Sequence, residues 1–441
     1  MAGVGPMGLG AIDYAIHNPR RPSHLVVTDI DDARLARAAQ LLPPVEAEKH
    51  GVQLSYINTK DIQDPVAHLK ELNGGKLYDD VFVFAPVKPV LELGAKWSGK
   101  FKTGSRFAIQ PALNYPDEHG QETLWAPGYS YRHIGGDATY IIIPKEVMEM
   151  NCLLDYEADN FFMGSLAEPV SCVVGAFHAQ YHTRGGSYIH EMGIVEGGSL
   201  ILLAGVGPMG LGAIDYAIHN PRRPSHLVVT DIDDARLARA AQLLPPVEAE
   251  KHGVQLSYIN TKDIQDPVAH LKELNGGKLY DDVFVFAPVK PVLELGDRLL
   301  GHDGCLNFFA GPTDTAFSAN FNFYDVHYEA HHIVGTSGGN TDDMRESLAM
   351  MAKGTLNPVF MVTHIGGLNA VPQATIDLDK IPGGKKLIYT GKKLDLVAIA
   401  GFAEKGQTDP FYKALGEICG RHNGLWSKEA EDYLLANAPA I

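Results

Sequence analysis

Cysteine is scarce in this chain of 441 residues: Cys152, Cys172, Cys305 and Cys419 are widely spaced and form no CxxC pair. A disulfide framework and a thiolate zinc lobe are therefore not indicated. Basic charge is also short, with 37 Lys and Arg against 53 Asp and Glu and a formal net charge of -16. Such a surface repels phosphate backbones, and no Lys/Arg stripe offsets it, so nucleic acid is not expected as a partner. Long hydrophobic runs are missing too. The most apolar stretch, Ser199 to Ile214, is 16 residues long and rich in glycine, short of the roughly 20 that a spanning helix needs. No membrane partner is expected. The opening MAGVGPMGLGAIDY has no basic segment, and Asp13 interrupts its apolar run, so it does not read as a secretory signal. A cytoplasmic location is the expectation.

What is present is an ordinary globular composition, 45% hydrophobic and 20% charged, in a chain long enough for two or three domains. One internal repeat dominates it. Ala2 to Gly94 reappears as Ala204 to Gly296 without a mismatch over 93 positions. Solenoid repeats are shorter and drift at solvent-facing positions. A recent duplication, an engineered fusion or an error in assembling the gene are all open readings. The second copy follows GGSLILLAG, an apolar run suited to a buried strand, whereas only Met1 stands before the first. In a doubly wound sheet that first strand is central. The first copy is thus expected to borrow a strand, pack irregularly or remain partly unfolded.

The second copy carries a nucleotide-site pattern. Ser199 to Leu203 reads as a strand, Gly205-Val206-Gly207-Pro208-Met209-Gly210 as a GxGxxG turn, and Leu211 to His219 as a helix. The first glycine permits the tight turn, the second lets backbone approach a pyrophosphate, and the third allows close helix–strand packing. The pyrophosphate would sit on free N–H groups at the positive helix end. A second strand, His226 to Thr230, ends in Asp231, 21 residues after Gly210, the spacing of a carboxylate that bonds the adenosine ribose. That carboxylate favours NAD over NADP, although Arg236 is near enough to leave NADP open. Further strands are read over Asp282 to Phe286, Cys305 to Phe309 and His332 to Val334, each ending in small or turn-forming residues. Ligands of open α/β sheets bind at such C-terminal edges. Phe286, Ala310, Gly335, Thr336 and Ser337 are expected to line the nicotinamide half.

GGSLILLAGVGPMGLGAIDYA, VVTDIDDARLARA and AEPVSC together resemble the zinc-type medium-chain alcohol/polyol dehydrogenases. NFFAGPTD, VGTSGGNTDDM and IPGGKKLIYT are similar to the L-sorbose-1-phosphate reductase group within that family. The resemblance covers about Ala95 to Ile441. It implies an α/β chain in which a Rossmann domain (183–340) follows the remainder of a GroES-like β-rich catalytic domain (95–182), with a C-terminal return (341–441). Residues 1–94 would be an extra partial Rossmann copy. The implied activity is hydride transfer between NAD(H) and a small polyol or ketose, a sugar phosphate among the candidates, by a dimer or tetramer. The resemblance also implies a catalytic zinc, which polarises the reacting oxygen. Its ligands in the family are an early Cys, a GHE pair and a Glu in an EP motif, and only Glu168 in AEPVSC has a matching position. The first copy stands where the Cys and GHE would lie, so the zinc site is incomplete, for a catalytic zinc needs about three protein ligands. A joint at Gly94, where VLELG gives way to AKWSGK, would account for this. A dinucleotide-binding remnant without efficient turnover, or a spliced chain with no evolved function, are the alternatives.

Other clusters read first as structural. His178 and His182 are spaced i, i+4 on the helix expected to carry Glu168, and His327, His331 and His332 sit near a helix-to-strand transition. Metal binding is the less expected role for either set. Lys100, Lys102 and Arg106 could hold a phosphate, but they read first as a solvated face, as do Lys385, Lys386, Lys392 and Lys393. The apolar surroundings of Glu168 point to a buried, partnered charge.

Overall fold

Apolar five-residue runs flanked by glycine turns need partners on both edges, and the chain supplies them once in full. A computed structural model describes residues 1–84, 104–116, 119–127, 130–131 and 134–441. It divides into two compact units, Met1–Arg106 and Phe107–Ile441.

In the second unit six parallel strands form one sheet in the spatial order Gln255–Asn260, His226–Asp231, Ser199–Leu203, Tyr280–Val285, Leu300–Phe308, His332–Gly335. Strand order reverses at Ser199–Leu203, which pairs with His226–Val229 on one edge and Asp282–Val285 on the other. All five of its residues are buried. Alternation of side chains across the strand sends Leu200 and Leu202 into one apolar cluster and Ile201 and Leu203 into another. Fully burying each such side chain contributes about 1.5–3 kcal/mol.

The helices start where the sequence offers caps. Asp233 accepts from Arg236 N to open helix Asp234–Leu243, and Asp266 does so from Ala269 N for Pro267–Leu274. Asn340 and Asp343 form a reciprocal capping box on Thr341–Ala352. Helix Ala167–Ala179 packs against Thr341–Ala352 and against Pro208–His219. Close approach is essential here, since a Cβ on Gly339 would fall 2.3 Å from Ser171 O. Outside the Rossmann sheet lie a hairpin of Leu113–Pro116 with Glu122–Trp125, and a three-stranded sheet of Lys385–Tyr389, Val362–Gly367 and Val397–Ala398. Buried Glu431 ties the C-terminal helix down by accepting Phe161 N (2.7 Å), Phe162 N (2.9 Å) and the Tyr389 hydroxyl (2.7 Å).

Among its described residues the first unit has helices Pro6–His17, Asp32–Leu41, Pro44–Lys49 and Pro65–Leu72, as the second copy does, but not the six-stranded sheet. His24–Asp29 pairs in parallel with Gln53–Asn58, making a two-stranded sheet. Residues 78–82, identical to the second copy's central-sheet segment, form no strand, and only isolated bridges join Ala2 to Thr28 and Val83. The loop also differs: Gly3 takes φ 102°, whereas in the second copy the left-handed position is Ala204 at φ 53°.

No helix among the described residues is long and apolar enough to cross a membrane.

Candidate functional site

The glycine turn lies where the strand order reverses, at the C-terminal edge of Ser199–Leu203. Gly205 N donates to Thr230 O (2.9 Å), fixing the turn against the neighbouring strand. A Cβ on Gly210 would lie 2.1 Å from Gly205 O, and one on Gly205 2.8 Å from Leu202 Cβ, so both positions demand glycine. Gly207 is different. A Cβ there meets nothing within 4 Å, which leaves an open cradle in front of the helix. Helix Pro208–His219 begins directly after it, one turn earlier than expected, with Pro208 in its first turn and no side chain capping it. Its first N–H groups are therefore available to an anion. Met209, half-buried, packs on the core below.

Asp231 ends its strand with 8% exposure. Its Oδ1 accepts Ile232 N (2.8 Å) and Asp233 N (3.1 Å). The carboxylate is thereby oriented, and among the described residues its Oδ2 takes no hydrogen bond. Arg236 is exposed and leans toward Asp233, 3.9 Å away.

On the opposite side of the switch point, Phe286 N donates to Leu203 O (3.0 Å), and the Phe286 ring packs on Phe309, centroids 4.9 Å apart. Ala310 N reaches Val285 O (3.1 Å). Gly335 closes the sixth strand, and Thr336 and Ser337 follow it. The Thr336 hydroxyl oxygen is buried without a partner among the described residues. Water or a polar group of a bound molecule can satisfy such a hydroxyl. Open cradle, uncapped helix start, oriented carboxylate and orphan hydroxyl together fit a dinucleotide.

A zinc does not fit the residues described. Glu168 stands in the first turn of helix Ala167–Ala179, half-buried, and its Oε1 accepts the Cys172 thiol at 3.2 Å. Burial, then the Glu168 charge, push that thiol up to about 12, so it stays protonated. Glu168 also lines a cleft of about 260 Å³ with Ser165, Val362, Lys385 and Ile388. Among the described residues no group of three or more His, Cys, Asp or Glu is placed to hold a metal.

The histidine pair expected on one helix is not there. The helix ends at Ala179, and His182 lies on strand Tyr181–Thr183. A shared helix face is thus corrected: the backbone turns extended at Gln180 (ψ 148°), and the two rings enter separate networks. His178 Nδ1 is 2.7 Å from Asp343 Oδ1, a bond that, with Glu346 nearby, raises its pKa despite burial. Tyr216 donates to Glu346 at 2.6 Å in the same network. His182 Nε2 meets the fully buried Asp282 at 3.1 Å. Burial opposes charge on His182, yet Asp282 and Asp303 hold its pKa above the ordinary value. His332 bonds Asp303 at 2.8 Å, while His327 meets the Tyr328 ring edge-on, centroids 4.6 Å apart. Lys100 and Lys102 lie outside the described residues, and Arg106 is half-buried. Lys386 Nζ folds back on the carbonyls of Ile381 (3.1 Å) and Gly384 (2.9 Å), while Lys385 is exposed. A Cβ on Gly384 would lie 3.4 Å from Pro208 Cγ, so this loop borders the glycine turn. The expectation from sequence passed over that neighbour, because nothing in IPGGKK signals contact with a residue 176 positions away.

Comparison with known proteins places these features. The profile of the zinc-binding dehydrogenases matches residues 208–353. Mannitol-1-phosphate 5-dehydrogenase of Aliivibrio fischeri is 52% identical over 346 residues, covering 78% of this chain and 80% of that protein. L-sorbose 1-phosphate reductase of Klebsiella pneumoniae is 48% identical over 352 residues, 80% of this chain and 81% of that one. A zinc-binding dehydrogenase structure from Sinorhizobium meliloti, bound to NADP, superimposes with a TM-score of 0.51 at 15% identity, covering 66% of this chain and 78% of that one. At that identity the superposition speaks for the fold alone.

Proposed function

The chain belongs to the zinc-binding alcohol/polyol dehydrogenase family, and from that premise we propose that it binds NAD(H) at the second glycine turn and moves hydride to or from a sugar phosphate. The observation that carries this reading is the open cradle at Gly207 facing an uncapped helix start. Pyrophosphate oxygens would accept from the first backbone N–H groups of Pro208–His219, and the helix dipole favours their charge. The unbonded oxygen of Asp231 would accept a ribose hydroxyl. It would also repel a 2′-phosphate, which favours NAD, and Arg236 is turned toward Asp233. Thr336 would donate to the carboxamide, with Phe286, Ala310, Gly335 and Ser337 shaping the wall that keeps water from the ring. The cofactor itself supplies the hydride chemistry. The names of the relatives favour a hexitol or ketose phosphate. Lys385, on the cleft with Glu168 and beside the glycine turn, is the cation we assign to the substrate phosphate. The sixth strand is an open edge with Ile333, Phe323, Tyr324 and Tyr328 exposed, which favours a homodimer built there.

A second reading is favoured by the lone Glu168. A chain with this single zinc-type carboxylate would bind the dinucleotide and turn over poorly, and no step is derived through a metal.

The test is NADH titration by calorimetry, followed by turnover with mannitol 1-phosphate and sorbose 1-phosphate. One site per chain, with affinity reduced more than about 100-fold by Gly207→Arg and unchanged by Gly5→Arg, is expected, since a bulky side chain fills the pyrophosphate position. Binding without turnover selects the second reading. No NADH binding overturns both.

A further inference from the structure

Segment 335–340 runs from the end of the sixth strand, past Thr336 and Ser337, to the start of helix Thr341–Ala352. Its far end is tied down. Gly339 O accepts Gln110 Nε2 (3.1 Å), and Asn340 N donates to Asp343 Oδ2 (2.8 Å). The Asn340 side chain accepts Asp342 N (2.8 Å) and Asp343 N (2.9 Å) in return. Asp343 is 4% exposed, and Gly175 makes room for it, since a Cβ there would lie 2.8 Å from Asp343 Oδ2. The other carboxylate oxygen, Oδ1, is 2.7 Å from His178 Nδ1. One buried carboxylate thus joins the end of the segment to a half-exposed imidazole.

His178 is the member of this chain that changes charge near neutral pH. From helix Thr341–Ala352 it faces Asp343 and also Glu346, whose Oε2 is 3.4 Å from its Nε2. From helix Pro208–His219 it faces the Tyr216 hydroxyl, 3.5 Å from Nε2. Burial and the bond to Glu346 push that phenol far up, so it keeps its proton. Other charged groups on the surrounding elements are paired elsewhere: Asp215 with His219, Asp342 with Arg345, His332 with Asp303, and Glu168 with the Cys172 thiol. An imidazolium donates to Asp343 and Glu346 at once, whereas the neutral ring has one N–H and turns a lone pair on the second carboxylate.

Resting on the proposed NAD(H) site, we infer that His178 is a positioning residue: its charged form, acting through Asp343 and Asn340, holds segment 335–340 where Thr336 and Ser337 meet the nicotinamide end of the dinucleotide. Charge-assisted hydrogen bonds are about twice as strong as neutral ones. Loss of the His178 charge therefore loosens Asp343, and with it the tie to Asn340 N. The Asp343 bond raises the His178 pKa. The charge is complete below the ordinary histidine value and is lost as pH climbs through the raised one. Cofactor affinity accordingly falls as pH rises.

The experiment titrates the full chain with NADH by calorimetry from about pH 6 to about pH 9, which brackets the histidine range. Affinity should fall about threefold across it, the charge-assisted increment discounted for a half-exposed ring. His178→Gln keeps a neutral donor and should bind at every pH as the unaltered chain does at the alkaline end. Glu346→Gln removes a charge that raises the His178 pKa but no tie to the segment. It should move the midpoint to lower pH and keep both plateaus, whereas a merely structural role would move no midpoint. An affinity independent of pH, a pH dependence that His178→Gln retains, or a midpoint that Glu346→Gln leaves in place overturns the inference while the NAD(H) site stands. Absence of NADH binding at every pH overturns the site and the positioning role together.

Discussion

The segment PMGLGAIDYAIH occurs twice and is a helix both times, as Pro6–His17 and Pro208–His219. In the first setting three of its residues are buried and in the second nine, because there a sheet lies on one side and helix Ala167–Ala179 on the other. YDDVFV also occurs twice, yet it is a strand only at Tyr280–Val285. Helical hydrogen bonds are local, so a proline start and a strong propensity suffice to form the element. Strand hydrogen bonds come from neighbours, and without counterparts of Ser199–Leu203 and Leu300–Phe308 the same six residues keep, among the described residues, only an isolated bridge from Val83 to Ala2. Asp282, bonded to Gln180, His182 and Val195 N, shows the further consequence, for its counterpart Asp80 is exposed.

The sharpest way to break this contrast is at the paired tyrosines. Tyr216 is fully buried and donates to Glu346, whereas Tyr14 is 69% exposed. Tyr216→Ala should cost about 3–5 kcal/mol, and Tyr14→Ala no more than about 0.5 kcal/mol, in urea unfolding followed by circular dichroism. Equal losses would mean that the first unit is as fully packed as the second.

A smaller effect separates the two aspartates. Asp29 Oδ2 accepts Val4 N at 2.7 Å, so its glycine turn has closed over the carboxylate that a ribose would need. Asp231→Ala should weaken NADH binding about 10- to 100-fold, the range for a hydrogen bond to a charged group. Asp29→Ala should leave it unchanged by the same titration. A loss from Asp29→Ala would show a second nucleotide site.

The smallest effect is in pH. His219 lies 2.9 Å from Asp215, which is 6% exposed and also accepts Asn357 N. The hydrogen bond to Asp215, against burial, raises the His219 pKa. The pair therefore stabilises fully below the ordinary histidine value and loses its contribution as pH climbs from about 6.5 through the raised value. The loss should be under about 1 kcal/mol. His219→Gln should flatten the unfolding midpoint over that range, and an unchanged pH dependence would show that the pair contributes nothing.

Much of the proposed dinucleotide site was legible before the fold. Gly205, Gly207, Gly210 and Asp231 stand in one short stretch, and their spacing carries the geometry. Thr336 could be placed at the edge but not known as an unpartnered hydroxyl, which depends on everything packed around it. The network of His178, Asp343, Glu346 and Tyr216 was not legible, since it joins three helices distant in sequence. The i, i+4 spacing of His178 and His182 misled because the helix stops between them.

By itself the sequence determined the repeat, the glycine turn and the helix that follows it, features whose local residues suffice to specify them. Only the tertiary structure decided which copy completes a sheet, whether Asp231 or Asp29 keeps an open carboxylate oxygen, and that IPGGKK borders the turn. Those outcomes depend on burial and on partners supplied from elsewhere in the chain, which identical residues cannot encode twice in the same way.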